Sequence, residues 1–326
     1  MSKKSREHHW WPVGLQHYWT AKDETVGILR PNGTIERKKA KNRKIGKTAH
    51  GHTLLRNSGP WETNFEDRFQ EVDDSVRRVI ELASIEDTIG PLWPHFGKLV
   101  KLFGKREREL CDLCNFGSLK GEELKSFIYF ALSLLVRSPG NRHRLGLFSI
   151  IDSPEARKEI GKANIHQQVG VVERILSNSL DPHCYIVFMN SLRDEFIFGD
   201  GLLDGLTGSL TRLALRGHAL VPLTPNLCAY ISTPTTIRNG VNYASFVAAP
   251  WMVSAANEIT QVYSKDEVFF RNRTPKIIES FEVNAHRQYK YNEHQLLDYL
   301  NAVSGYGTHY VNLNGERVAR RGTLSF

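Results

Sequence analysis

A helix that is apolar on nearly every side restricts what this chain can become more than any other stretch of it. Residues 122–137 form such a run, and Ser138-Pro139-Gly140 stops it. A helix without a polar face has no stable place on a protein surface, so the remaining elements must wrap around it. Its most apolar part, residues 127–136, is too short to cross a bilayer, which argues against a membrane partner. With 326 residues, 40 % of them hydrophobic, the chain can bury such a core within a single domain spanning 1–326. Its charged, aromatic N-terminus has no signal-peptide apolar region, and four cysteines supply no disulfide framework. A cytoplasmic protein is expected.

Around that helix the patterns change along the chain. Residues 25–30 and 34–38 flank Pro31-Asn32-Gly33, a hairpin signal, and 50–56 reads as a third strand of the same small sheet. Thr63 and Glu66 have capping-box spacing ahead of an apolar stripe from Phe65 to Ala83. Ser153-Pro154 opens a long polar helix that runs to about residue 176. Short β-like runs follow at 185–189, 195–198, 218–223 and 227–231. Residues 241–263 read as a helix kinked or broken at Pro250, 293–303 as another helix, and 310–313 with 317–319 as a hairpin. The fold class expected is α+β: a small antiparallel N-terminal sheet in a basic subregion 1–60, a helical centre in 61–180, and a second small sheet with C-terminal helices in 181–326.

The charge is unevenly distributed. Residues 1–60 hold thirteen Lys and Arg against four Asp and Glu, while the remainder is nearly neutral. Six basic residues crowd into the ten positions 38–47. Arg37, Lys38, Lys39, Lys41, Arg43, Lys44 and Lys47 do not alternate strictly, so both faces of a ribbon or loop would be positive, which suits phosphate contacts. A solvated basic loop is the plain alternative. Nucleic acid, RNA or DNA, is the expected partner.

In order along the chain stand His8-His9 with Pro12, Trp19, the spaced acids Glu66 and Asp73, Arg137-Ser138-Pro139, Asp200 after Phe196-Ile197-Phe198-Gly199, Pro222-Leu223-Thr224-Pro225, and Val262-Tyr263-Ser264. In that order the chain resembles a bacterial family known as domain of unknown function 4238, over most of residues 8–264. It departs from the family pattern at Gly199, where a Ser is usual, at Gly201-Leu202, where x-Pro is usual, and near Trp251, where an Asn is usual. The resemblance implies a shared set of site residues and no established activity.

Each candidate has a chemical and a structural reading. His8 and His9 would point to opposite faces of a strand, so one of them could serve as general base or metal ligand, or donate to a backbone carbonyl among the tryptophans. Glu66 and Asp73 lie on one helix flank with backbones roughly 10 Å apart, too far to share an ion without other ligands, and could equally be solvated or paired. Asp200 ends an apolar strand before Gly201, a position for a metal-binding or base carboxylate or for a turn cap. Arg137 could clamp a phosphate or bond the last carbonyls of its helix. Cys111-x-x-Cys114, even with His183 and Cys184, is a weak zinc signal. No phosphate-binding loop, nucleophile elbow or dinucleotide fingerprint is present in the sequence.

These features predict a metal-dependent nuclease, serving as an effector in bacterial defence or a toxin-like system. His8, His9, Asp200 and Arg137 would be catalytic, with Glu66, Asp73 and Asp200 holding Mg²⁺ or Mn²⁺ and the basic run holding phosphates. The alternative is a non-catalytic nucleic-acid sensor or adaptor. A third reading has the basic segment docking on an acidic regulatory protein.

Overall fold

The computed structural model describes residues 7–40, 45–49, 53–55, 62–64, 66–84, 114–147, 153–178, 183–212, 215–234, 241–285, 293–304, 309–311 and 317–319. In chain order the N-terminal elements are β1 (Glu7–His9), α1 (Val13–Gln16), β2 (Thr25–Leu29), β3 (Ile35–Lys39), β4 (Lys47–Ala49), β5 (Thr53–Leu55) and β6 (Glu62–Asn64). Then come α2 (Gln70–Asp74), α3 (Val76–Ala83), β7 (Asn115–Gly117), α4 (Gly121–Arg137), α5 (Pro139–Leu147) and α6 (Pro154–Asn178). The rest comprises β8 (Tyr185–Asn190), β9 (Phe198–Gly199), β10 (Leu203–Asp204), β11 (His218–Thr224), β12 (Leu227–Ser232), β13 (Tyr243–Val247), α7 (Pro250–Tyr263), β14 (Val268–Phe270), α8 (Glu279–Glu282), α9 (Gln295–Val303), β15 (His309–Val311) and β16 (Arg317–Ala319). The fold is α+β.

The apolar helix is central, as its composition requires. Glu122 and Glu123 occupy the first turn of α4 and Arg137 the last, matching the helix dipole, and eleven of its residues from Leu124 to Arg137 are buried. It lies against a six-stranded sheet of order β10-β11-β12-β8-β13-β7, in which only β8 and β13 run parallel. Phe127 of α4 meets Phe188 of β8 edge-on at 5.3 Å. On the opposite face of that sheet, Phe246 of β13 meets Tyr299 of α9 at 6.4 Å, and the Tyr230 hydroxyl of β12 donates to Asn301. Covered on both sides, β8 and β12 are buried at nearly every position, so they read as continuous apolar runs and not as alternating ones.

A four-stranded antiparallel sheet of order β3-β2-β14-β9 positions the site. The β2–β3 hairpin forms as its turn chemistry predicts, with the Thr34 amide donating to Asn32 Oδ1 at 3.0 Å. The other two strands of this sheet come from beyond residue 190, so it is shared between the N-terminal and C-terminal subregions. Trp11 stacks on Phe198 of β9 at 4.7 Å and contacts Phe269 of β14 at 4.5 Å, and Trp19 Nε1 donates to the Leu223 carbonyl of β11. The aromatic opening of the chain is thus the joint between the two sheets.

Four expectations are corrected. Residues 53–55 pair with β6, not with β2 or β3. Thr63 lies within β6, and the first helical residues after it form a 3₁₀ turn, Glu66–Phe69, so no capping box opens this helix. Residues 241–263 are a strand followed by a helix: Pro250 occupies the first turn of α7, where its missing N–H costs nothing, and does not kink it. The second sheet is larger than expected because β10, β13 and, from the helical subregion, β7 join it, while β9, from the run expected at 195–198, belongs to the four-stranded sheet.

Candidate functional site

Arg137, the last residue of α4, is fully buried. Its guanidinium donates to both Asp73 oxygens at 2.7 and 3.1 Å, to the Ser133 carbonyl at 3.2 Å and hydroxyl at 3.2 Å, and to the His9 carbonyl at 3.4 Å. Phe69 covers its face at 4.4 Å. A bidentate pair with stacked aromatic support is how a protein satisfies a cation it has removed from water. The structure therefore joins three of the sequence candidates, but as an anchor between α2, α4 and β1. Arg137 and Asp73 hold each other.

The residue after Arg137 leads to Asp200. Ser138 Oγ and the Gly140 amide both donate to the Asp200 carbonyl, at 2.6 and 2.8 Å. The Asp200 carboxylate is buried and accepts the main-chain amides of Lys265 at 2.7 Å and Asp266 at 2.9 Å. Burial pushes its pKa up to about 7; the two amides act against this shift, and the Asp266 and Glu267 carboxylates add to it. Asp200 thus caps the turn between α7 and β14. Close approach here demands glycine on both sides: a Cβ on Gly199 would fall 2.0 Å from Ser264 Oγ, and one on Gly201 would fall 1.7 Å from the Tyr263 carbonyl oxygen. In this chain Ser264 fills the space that a Ser side chain at 199 would need.

Asp200 lines a pocket of about 520 Å³. Trp10, Lys47 and Thr48 form part of its wall from the N-terminal segment, and Arg30 and Asn32 contribute from the β2–β3 turn. Pro139, Asp266 and Glu267 complete the wall beside Asp200. Arg30 pairs with Glu267 at 3.0 Å and lies 3.6 Å from Glu36, and Lys265 pairs with Asp266 at 3.3 Å. Burial raises the Glu267 pKa, with Arg30 and Lys38 pulling it down. Two cations and three carboxylates thus converge on one cavity.

The basic run is only partly described. Arg37 and Lys39 are exposed on β3, an edge strand, and Arg37 donates to the carbonyls of Arg271 and Asn272 while lying 5.5 Å from the Phe270 ring. Lys38 pairs with Glu36 at 3.0 Å. Lys47, on β4, lies opposite His9 of β1. Lys41, Arg43 and Lys44 lie outside the described residues, as do Cys111 and the Glu66 side chain.

His8 is buried and His9 half-buried, and neither belongs to the pocket wall. Two of the three carboxylates expected to hold a metal ion are engaged by other groups, Asp73 by Arg137 and Asp200 by amides at both oxygens, and the third, Glu66, has its side chain outside the described residues. Among the described residues no group of three or more His, Cys, Asp or Glu is placed to hold an ion. Cys114 and Cys184 are buried thiols. No helix among the described residues is long and apolar enough to cross a membrane.

Trp10, Arg30, Asn32, Asp266 and Glu267 are pocket residues that the sequence reading did not single out. The turn carrying Arg30 and Asn32 was legible as a turn only. Lys265-Asp266-Glu267, a charged triplet directly after Val262-Tyr263-Ser264 and before an apolar strand, was the available signal. No family model matches the chain, and neither a curated protein nor a solved structure matches it significantly.

Proposed function

We propose that this chain is a nucleic-acid-processing enzyme of the cytoplasm, a phosphodiester hydrolase whose substrate backbone is held by the basic N-terminal strands. The observation that carries this reading is that Lys47, from the basic run, and Asp200, far away in sequence, line the same pocket with Arg30. Lys47 and Arg30 offer charge to a phosphate. Asp200, titrating near neutrality, can take or give a proton at the pH where an enzyme works. No step is assigned to a metal ion, because Asp73 and Asp200, two of the three carboxylates expected to bind one, are held by Arg137 and by main-chain amides. A role in bacterial defence or as a toxin-like effector belongs to the same proposal.

A second reading is supported by the saturation of the same groups: both Asp200 oxygens accept amides and Arg30 is paired with Glu267. On that reading the chain senses or adapts nucleic acid without turnover. Purified protein incubated with mixed tRNA, single-stranded RNA and duplex DNA, with and without Mg²⁺ or Mn²⁺, separates the two. The enzyme reading expects cleavage that Lys47→Ala and Asp200→Asn each reduce at least tenfold. Salt-sensitive binding without cleavage transfers the conclusion to the sensor.

A further inference from the structure

The pocket's size and its arrangement of acceptors narrow what can enter it, granting the proposed nucleic-acid function. The pocket, of about 520 Å³, is open to solvent and on the scale of a single small ligand. A base that enters it would come unpaired, from a single strand or swung out of a helix. The phosphate has Lys47 to meet, with Arg30 beside it sharing its guanidinium with Glu267. The base then faces a wall rich in acceptors.

Among those acceptors Asp266 is the most available. Asp200 has both oxygens engaged, and Glu267 is paired with Arg30 and about three-quarters buried. Asp266 has a side chain 58 % exposed, and its ion pair is with neighbouring Lys265 at 3.3 Å, an exposed contact that exchanges readily. Its backbone is held in place, because its amide donates to the buried Asp200 carboxylate. The pocket thus presents a carboxylate that is fixed at its root and free to exchange at its tip.

A carboxylate selects bases by their donors. Guanine carries two adjacent donors on its pairing edge, the ring N1–H and the exocyclic amine, and one carboxylate can accept both in the bidentate way it accepts an arginine. Adenine and cytosine place a lone pair beside their amino group, which a carboxylate repels, and uracil flanks its single N–H with two carbonyls. We infer that this pocket receives a single unpaired nucleotide and selects guanine through Asp266.

Calorimetric titration of the full chain with the 5′-monophosphates of guanosine, inosine, adenosine, cytidine and uridine tests this directly. Guanosine monophosphate should bind at least about tenfold more tightly than the adenosine, cytidine and uridine compounds. Inosine monophosphate, which lacks the exocyclic amine, should lose most of that advantage. Asp266→Asn should bring guanosine down to the level of adenosine while leaving adenosine binding within about twofold. Equal binding of all five, or a guanosine preference that survives Asp266→Asn, overturns the inference. Polynucleotide binding that persists with no mononucleotide bound also overturns it, yet leaves the broader function standing. Loss of polynucleotide binding as well would remove that function too.

Discussion

Replacing Asp73 by alanine would leave Arg137 as a fully buried cation with only the Ser133 and His9 oxygens and the Phe69 ring for company. Breaking a buried ion pair by removing one partner leaves an uncompensated charge, and the typical loss is about 3–5 kcal/mol. The reverse change is milder. Arg137→Met keeps the contact with Phe69 and leaves behind Asp73, whose side chain is 26 % exposed and can regain water, so the expected loss is about 1–2 kcal/mol. The double variant Asp73→Leu with Arg137→Met should recover part of the loss, because a well-packed apolar pair can stand in for a buried ionic one. Urea unfolding followed by the fluorescence of the six tryptophans provides all three numbers. An Asp73→Ala loss below about 1 kcal/mol, or equal losses for the two single variants, would refute the anchor and return Arg137 to the list of groups available to a ligand.

Three further outcomes follow from the same geometry. Asp200 has its pKa raised to about 7 in the folded chain against an ordinary 3.8, so between those values the folded state binds a proton that the unfolded state has lost. Stability from this group is therefore present at low pH and is lost as pH rises through 7; Asp200→Asn should show a flatter stability profile between pH 4 and 7 in thermal melts than the wild type, and an unchanged slope would contradict the assignment. Gly201→Ala drives a methyl group into the Tyr263 carbonyl and should cost about 3 kcal/mol in urea unfolding, whereas the same change at Gly161, where nothing lies within 4 Å, should not destabilise. Lys47→Ala should lower the slope of log affinity against log salt for single-stranded RNA by about one, the signature of one lost phosphate contact; an unchanged slope would place that lysine outside the interface.

What could be read from the sequence divides along physical lines. The central helix was legible because its apolar residues surround it and Pro139-Gly140 ends it, both local properties. The β2–β3 hairpin was legible because Asn32-Gly33 imposes its own turn. Residues 241–263 misled because a buried strand and a buried helix are both continuously apolar, so periodicity cannot separate them, and Pro250 marked the junction. Asp200 was legible as a strand-end carboxylate before a glycine, in both of its readings. Its company was not, since Arg30 reaches it through the pairing of β2 with β14 and Lys47 from the separate β1–β4 pair, and strand pairing across more than two hundred residues leaves no local trace. The partner of Asp73 was hidden for the same reason: pairing with a Lys or Arg was one of its readings, but nothing local named Arg137 until α2 and α4 packed together.

If the chain acts as proposed, nucleic acid enters the pocket between the β2–β3 turn and the turn after α7. Photo-crosslinking of a single-stranded RNA carrying photoreactive nucleotides, followed by mass spectrometry of the linked peptides, reads this location without relying on turnover. Crosslinks are expected on peptides carrying residues 30–32, 47–48 or 265–267, each suppressed by Lys47→Glu. Crosslinks confined to other surfaces, or undiminished in that variant, would contradict the proposal.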